Sequence, residues 1–187
     1  TTWWGHGKAW IDYISRAQTL LQRGHTPSDV LVLAGESRPN VRTGNRNYDK
    51  PLIEAGYFFD FCASDDLADS IRLENGKIVS PSGVKYSVFS LGGERNPSLR
   101  TLKAVKKMLD AGVSVCGERP LGSPSLSDGD AEYAELAGEI WGPDSGSKSP
   151  RKVGGGTLYP ENSAARAVAD LKIAPALKAP KGFLSTA

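Results

Sequence analysis

The chain has 187 residues, of which 39% are apolar and 24% charged, and a net charge of +2. That is enough chain and apolar content for one globular domain with a sizeable core, and too little positive charge for a nucleic-acid footprint. The longest apolar runs are strand-length, so no membrane-spanning helix is expected. The two cysteines, Cys62 and Cys116, supply neither a disulfide framework nor metal-ligand spacing, and no cofactor motif stands out.

Taken in chain order, Trp10, Tyr13, Ile14, Ala17, Leu20 and Leu21 recur at helical spacing, and Gly24 ends the helix. This helix precedes the first strand, so its apolar face needs a partner. Trp3 and Trp4, just ahead of it, read as core anchors or pocket walls. Val30-Leu-Val-Leu33 is a continuous apolar run, as expected of a strand buried on both faces. It runs into Ala34-Gly35-Glu36-Ser37 and then a polar loop over residues 38–50. Pro51-Leu-Ile-Glu-Ala55 makes a short helix closed by Gly56, and Tyr57-Phe-Phe-Asp-Phe-Cys62 is the second strand. Ser64-Asp65-Asp66 should cap a helix running to about Leu73. Asn75-Gly76 signals a tight hairpin turn and Pro81-Ser82-Gly83 another, so two small antiparallel strands are expected over 77–79 and 84–86.

The firmest reading lies over residues 86–116. Tyr86-Ser-Val-Phe-Ser-Leu91 is a strand ending at Gly92-Gly93. Asn96-Pro97 then reads as an N-cap with proline in the first helical position. Leu99, Leu102, Val105, Met108 and Leu109 form the apolar stripe of a helix that stops at Gly112, and Val113-Ser-Val-Cys116 follows as a strand. Strand, helix and strand within about thirty residues make a βαβ unit with a right-handed crossover. Beyond it come a Ser/Gly/Pro loop, a helix over 130–140, and a segment over 142–150 low in apolar content. Gly154-Gly-Gly156 lacks the Lys-Ser/Thr of a phosphate loop and precedes a strand over 157–159 rather than following one. A last helix covers about 162–171. The sum is an α/β, doubly wound, mainly parallel sheet of five strands in the order 2-1-3-4-5, flavodoxin-like or class I glutamine amidotransferase-like, with a small antiparallel hairpin and an N-terminal helix.

Ligands of such sheets meet the carboxyl ends of the strands. There the sequence places Glu36, Ser64-Asp65-Asp66, Gly92-Gly93-Glu94 and Gly117-Glu118, with Glu36 and Glu94 on neighbouring strands. Paired carboxylates serve as acid and base, as metal ligands, as acceptors for sugar hydroxyls, or simply as helix caps. The candidates for ligand contact are Glu36, then Asp60 and Asp65. Flavin binding, dinucleotide binding and glutaminase chemistry are each disfavoured. Gly35-Glu36-Ser37-Arg38-Pro39 is not a Ser/Thr-rich loop, no G-x-G-x-x-G occurs, and glycines stand where a nucleophilic cysteine would. His6 and His25 lie far from that elbow in sequence.

Thr2-Trp3-Trp4, Trp10-Ile11-Asp12-Tyr13, Arg16-Ala17-Gln18 and Leu20-Leu21-Gln22-Arg23-Gly24 resemble a stretch of glycoside hydrolase family 106, the α-L-rhamnosidases. Asp29-Val30-Leu31 with Gly35-Glu36, Gly56-Tyr57 through Asp60, Cys62 and Asp65 are similar too. So are Asn75-Gly76-Lys77-Ile78-Val79 before Pro81-Ser82-Gly83-Val84-Lys85-Tyr86, and Leu109-Asp110-Ala111-Gly112-Val113. The likeness continues through Pro120, Ser123-Pro124-Ser125-Leu126 and Ile140-Trp141-Gly142. Phe58 and Ala63 depart from the pattern, which has Asp and Asn there. The resemblance implies that residues 1–26 finish an upstream (β/α)8 barrel, that 27–175 form a glutaminase-like α/β domain, and that 176–187 are an extended exit. It implies catalytic glutamates upstream of Thr1, so none is assigned in this chain, no metal ligand and no cofactor. The expected partners are that barrel and rhamnose-containing glycans, with no nucleic acid and no membrane, in a periplasmic or secreted parent. The alternative is a stand-alone binding or oligomerisation module, such as the trimerisation domain of family 42 β-galactosidases. Thr1-Thr2 without an initiator methionine, and an end just past a proline-rich stretch, lead one to expect a piece of a longer polypeptide.

Overall fold

In the computed structural model, residues 5, 7–36, 50–143 and 148–177 are described. Thr2-Trp3-Trp4, His6, the polar loop up to residue 49, the middle of the 142–150 segment and the exit beyond residue 177 lie outside the described residues.

The elements are α1 (Lys8–Leu21), β1 (Ser28–Leu33), α2 (Lys50–Glu54), β2 (Phe58–Cys62), α3 (Ser64–Asp69), β3 (Arg72–Glu74), β4 (Lys77–Val79), β5 (Lys85–Tyr86) and β6 (Val88–Ser90). After them come α4 (Leu99–Asp110), β7 (Ser114–Cys116), α5 (Asp130–Trp141), β8 (Arg151–Val153), β9 (Gly156–Tyr159) and α6 (Ala164–Asp170). The main sheet runs β2-β1-β6-β7-β9-β8. Its first five strands are parallel and β8 is antiparallel to β9. The order of the parallel strands is the expected one, but the sheet has six strands rather than five. The added edge strand, Arg151-Lys152-Val153, exposes two of its three residues, so it carries no apolar run for the sequence to betray.

Each parallel strand feeds two cores because its side chains alternate between faces. In β1, Leu31 and Leu33 join the cluster under α4 and α5, while Val30 and Val32 join the one under α2 and α6. This double burial is why the run is continuously apolar. The βαβ unit forms as expected, with β6 and β7 paired in parallel and Leu99, Leu102, Val105, Met108 and Leu109 of α4 all buried. Its N-cap is Ser98, not Asn96. The Ser98 hydroxyl accepts the Thr101 N–H, and Pro97 precedes the cap rather than following it. Gly112, at φ +94°, closes the helix in a left-handed conformation, as a glycine there permits.

Two local expectations are corrected. Helix α3 ends at Asp69, not near Leu73, because Leu73 pairs with Ile78 in a second sheet of order β3-β4-β5. Asn75 and Gly76, at φ 51° and 72°, form the hairpin turn, and a tight hairpin demands a strand on both sides of it. Tyr86 belongs to this small sheet, opposite Ile78, so the central strand starts only at Val88. Ser87 makes the switch between sheets, its N–H bonded to the Asp29 carbonyl at 2.9 Å. The triple glycine after β8 is a hairpin turn packed on the end of α4. A Cβ on Gly156 would lie 2.3 Å from the Val113 carbonyl oxygen, so side chains are excluded by close backbone approach.

Helix α1 stands apart from both cores. Among the described residues it buries none of its own, and Trp10, Tyr13, Leu20 and Leu21 are 60–83% exposed.

Candidate functional site at the carboxyl edge of the sheet

Glu36 lies just past β1 and Glu94 just past β6, and the structure brings them together. The Glu36 N–H donates to Glu94 Oε2 at 3.3 Å, and Glu94 Oε1 accepts the Asn96 N–H at 2.9 Å. The Glu36 side chain turns to the start of α4. Its Oε1 accepts the Ser98 N–H at 3.0 Å, the Ser98 hydroxyl at 3.3 Å and the Thr101 hydroxyl. This places a carboxylate where a helix presents free N–H groups and the positive end of its dipole. A second carboxylate completes the cap. Asp128 Oδ2 accepts the Leu99 N–H at 2.8 Å and the Ser123 hydroxyl at 2.5 Å. Ser123 foremost, then the Leu99 N–H, hold the Asp128 carboxyl below the usual carboxylate range.

Tyr133 of α5 seals this region from below. Its hydroxyl lies 2.9 Å from both the Pro97 and Gly122 carbonyl oxygens and shares its one hydrogen between them. Burial, reinforced by the charges of Glu36, Asp128 and Glu94, pushes the phenol up, so it stays a neutral donor. The switch point, where doubly wound domains hold an anionic ligand, is occupied here by the protein's own carboxylates.

The other two candidates have other partners. Asp60 stands in the middle of β2, opposite Leu31, not at its carboxyl end. Its Oδ2 accepts the Tyr86 hydroxyl at 2.9 Å. Burial, then that hydrogen bond, push Tyr86 up to about 12. Asp65 lies in the first turn of α3, exposed, and pairs with Arg100 at 3.2 Å, which also meets Asp69 at 2.6 Å. Both cysteines are buried and free. Burial, then the charge on Asp66, push the Cys62 thiol up to about 12, and burial raises Cys116 as well, so neither is a ready nucleophile. Among the described residues no group of three His, Cys, Asp or Glu could hold a metal ion, and no helix is long and apolar enough to cross a membrane.

The sequence reading passed over Ser98, Thr101, Asp128 and Tyr133. Ser98 and Thr101 had a local signal, a hydroxyl followed three residues on by a second polar group. Asp128 had none, being 29 residues from the N–H it caps.

The family model of glycoside hydrolase family 106, alpha-L-rhamnosidase, matches residues 1–185. A putative beta-glucuronidase of Formosa agariphila is 39% identical over 145 residues, covering 75% of this chain and 12% of that protein. The structure of a rhamnosidase from Novosphingobium sp. PP1Y superposes on 96% of this chain and 17% of its own, with a TM-score of 0.71 and 24% identity, a likeness of fold. The chain thus spans only a small part of the length of the relatives it matches. With the family model matching almost from end to end, the chain belongs to glycoside hydrolase family 106, the α-L-rhamnosidases.

Proposed function

We propose that this chain is the accessory α/β domain of a larger α-L-rhamnosidase, docked by α1 against the catalytic barrel and hydrolysing nothing by itself. The observation that carries this reading is the bare apolar stripe of α1, with Trp10 65% and Leu21 83% exposed. A run of large apolar side chains left in water marks an interaction surface. In this reading residues 1–26 finish the barrel, 27–175 are the accessory domain, and 176–187 lead out of it. The parent is periplasmic or secreted. The carboxyl edge supports the absence of catalysis. Glycoside hydrolysis needs two carboxyl groups set across a sugar-sized cleft, and Glu36 and Glu94 are instead bonded to backbone N–H groups of their own domain. In this reading Glu36, at the carboxyl edge, faces the barrel or rhamnose-containing glycans, with Asp60 and Asp65 as weaker candidates.

The test has two arms. Aryl α-L-rhamnoside hydrolysis is measured with the purified chain and with Glu36→Gln, and no turnover is expected from either. Turnover that vanishes in the variant would place the active site here and overturn the reading. In the second arm the upstream segment of the parent is co-expressed in trans. It should co-purify with this chain and lose it when Trp10, Tyr13 and Leu21 are changed to Ser, with the melting temperature unchanged. Co-purification indifferent to those changes would remove α1 as the docking face.

A further inference from the structure

Farther along the carboxyl edge, one stretch is not closed. Three strand exits meet there: Arg95 beyond β6, Glu118 beyond β7 and Asn162 beyond β9. Glu118 Oε2 pairs with Arg95 Nη1, and its Oε1 accepts Asn162 Nδ2 at 3.5 Å. The carboxylate is thus oriented from both sides, yet the Arg95 and Glu118 side chains stay 41% and 44% exposed. Beside it, two polar atoms are buried without a partner among the described residues, Arg95 Nε and Asn162 Oδ1. Folded proteins keep few such atoms, and each asks for a reason.

The cluster offers a carboxylate acceptor, an amide acceptor and a guanidinium donor. Hydroxyl groups match that mixture, because each both donates and accepts. The Arg95 and Glu118 charges cancel, and the neighbouring Glu161 is held by Arg166 at 2.8 Å, so nothing here selects an ion. An anionic ligand would have to take Arg95 from Glu118. The Asn162 contact is long, and the terminal torsion of an asparagine is soft, so turning its amide can carry the unpartnered oxygen toward a ligand. From this geometry we propose that Arg95, Glu118 and Asn162 form a binding site for a neutral saccharide, held through a vicinal diol. One hydroxyl donates to Glu118 while its neighbour receives from Arg95 and donates to Asn162. The proposal goes beyond the docking role of α1 and uses none of its residues.

The probe is methyl α-L-rhamnopyranoside, titrated into the 187-residue chain and followed by saturation-transfer NMR and calorimetry, beside sodium D-glucuronate. Weak binding of the neutral glycoside is expected, with at least a tenfold loss in Glu118→Gln and in Asn162→Ala, and weaker binding of glucuronate. Lys107→Ala, on the α4 surface, should leave it unchanged. Melting temperatures show that the variants are folded, and Asn162→Ala leaves the Arg95–Glu118 pair in place should Glu118→Gln loosen the loop. Three results would each overturn the proposal: no binding by the parent chain, binding that survives both substitutions, or preference for glucuronate. None of them bears on co-purification through α1, so the two readings fail separately.

Discussion

Helices α1 and α4 carry apolar side chains at the same helical spacing and meet opposite fates. In α4 the stripe is sealed, with Leu102, Val105, Met108 and Leu109 at 0% exposure. In α1 every residue remains at least partly in water. The difference lies in what each helix is tied to. Both ends of α4 join adjacent parallel strands, and a right-handed crossover leaves its apolar face nowhere to lie except on the sheet. Helix α1 leads into β1 but does not cross between two strands of this sheet, so the sheet's topology sets no face for it. The caps differ in the same sense. Ser98, Glu36 and Asp128 serve the start of α4, whereas Gly7 gives α1 no side-chain cap and its first turn holds no acid. Periodicity says that a face wants burial, and connectivity says against what.

The contrast is sharpest in truncation. Leu102→Ala removes a fully buried side chain and should cost about 2–5 kcal/mol in chemical denaturation. Leu20→Ala on α1 should stay within about 0.5 kcal/mol. Similar losses at the two sites would mean that α1 packs in solution and that the comparison is false. Next in size is the cap. Glu36→Gln keeps the shape of the side chain but removes the charge from the helix start and one acceptor lone-pair set. A loss of about 1 kcal/mol is expected, read from the shift in denaturation midpoint. An unchanged midpoint would show that Ser98 caps α4 without Glu36.

The comparison also explains what could be read from the residues. The parallel core was legible because its first strand is a continuous apolar run, Val30-Leu-Val-Leu33, buried on both faces, and because Gly112 and Gly56 punctuate the helices. The antiparallel pieces were less so. Strand β8 is mostly charged and exposed, and β3 follows α3 so closely that Leu73 fitted the helical pattern as well as the strand. At the carboxyl edge, position was legible and occupation was not. Gly35-Glu36 was placed correctly past β1, but that the Oε1 of Glu36 would be taken by Ser98 and Thr101, 62 and 65 residues away, depends on contacts no local pattern encodes. Asp60 was read within the second strand and stands there, but its bond from the Tyr86 hydroxyl, 26 residues away, is again a contact no local pattern encodes.

The smallest effect at neutral pH concerns Asp128, and its sign can be worked out. The Ser123 hydroxyl and the Leu99 N–H hold its carboxyl below the usual carboxylate range in the folded chain, while the unfolded chain restores the ordinary value. The unfolded state therefore takes up the proton first as pH falls, and acid favours unfolding through this group. The stabilisation is fully present above the ordinary carboxylate pKa and drains away as pH drops through the lowered one. Asp128→Asn should leave the melting temperature slightly reduced at pH 7, because water reaches this side chain and screens it. The gap between parent and variant should narrow steadily below about pH 4, where an unfolded aspartate titrates. A parent-to-variant gap that stays constant from pH 7 down to pH 3 would mean that Asp128 holds the loop by shape alone, with its charge contributing nothing to α4.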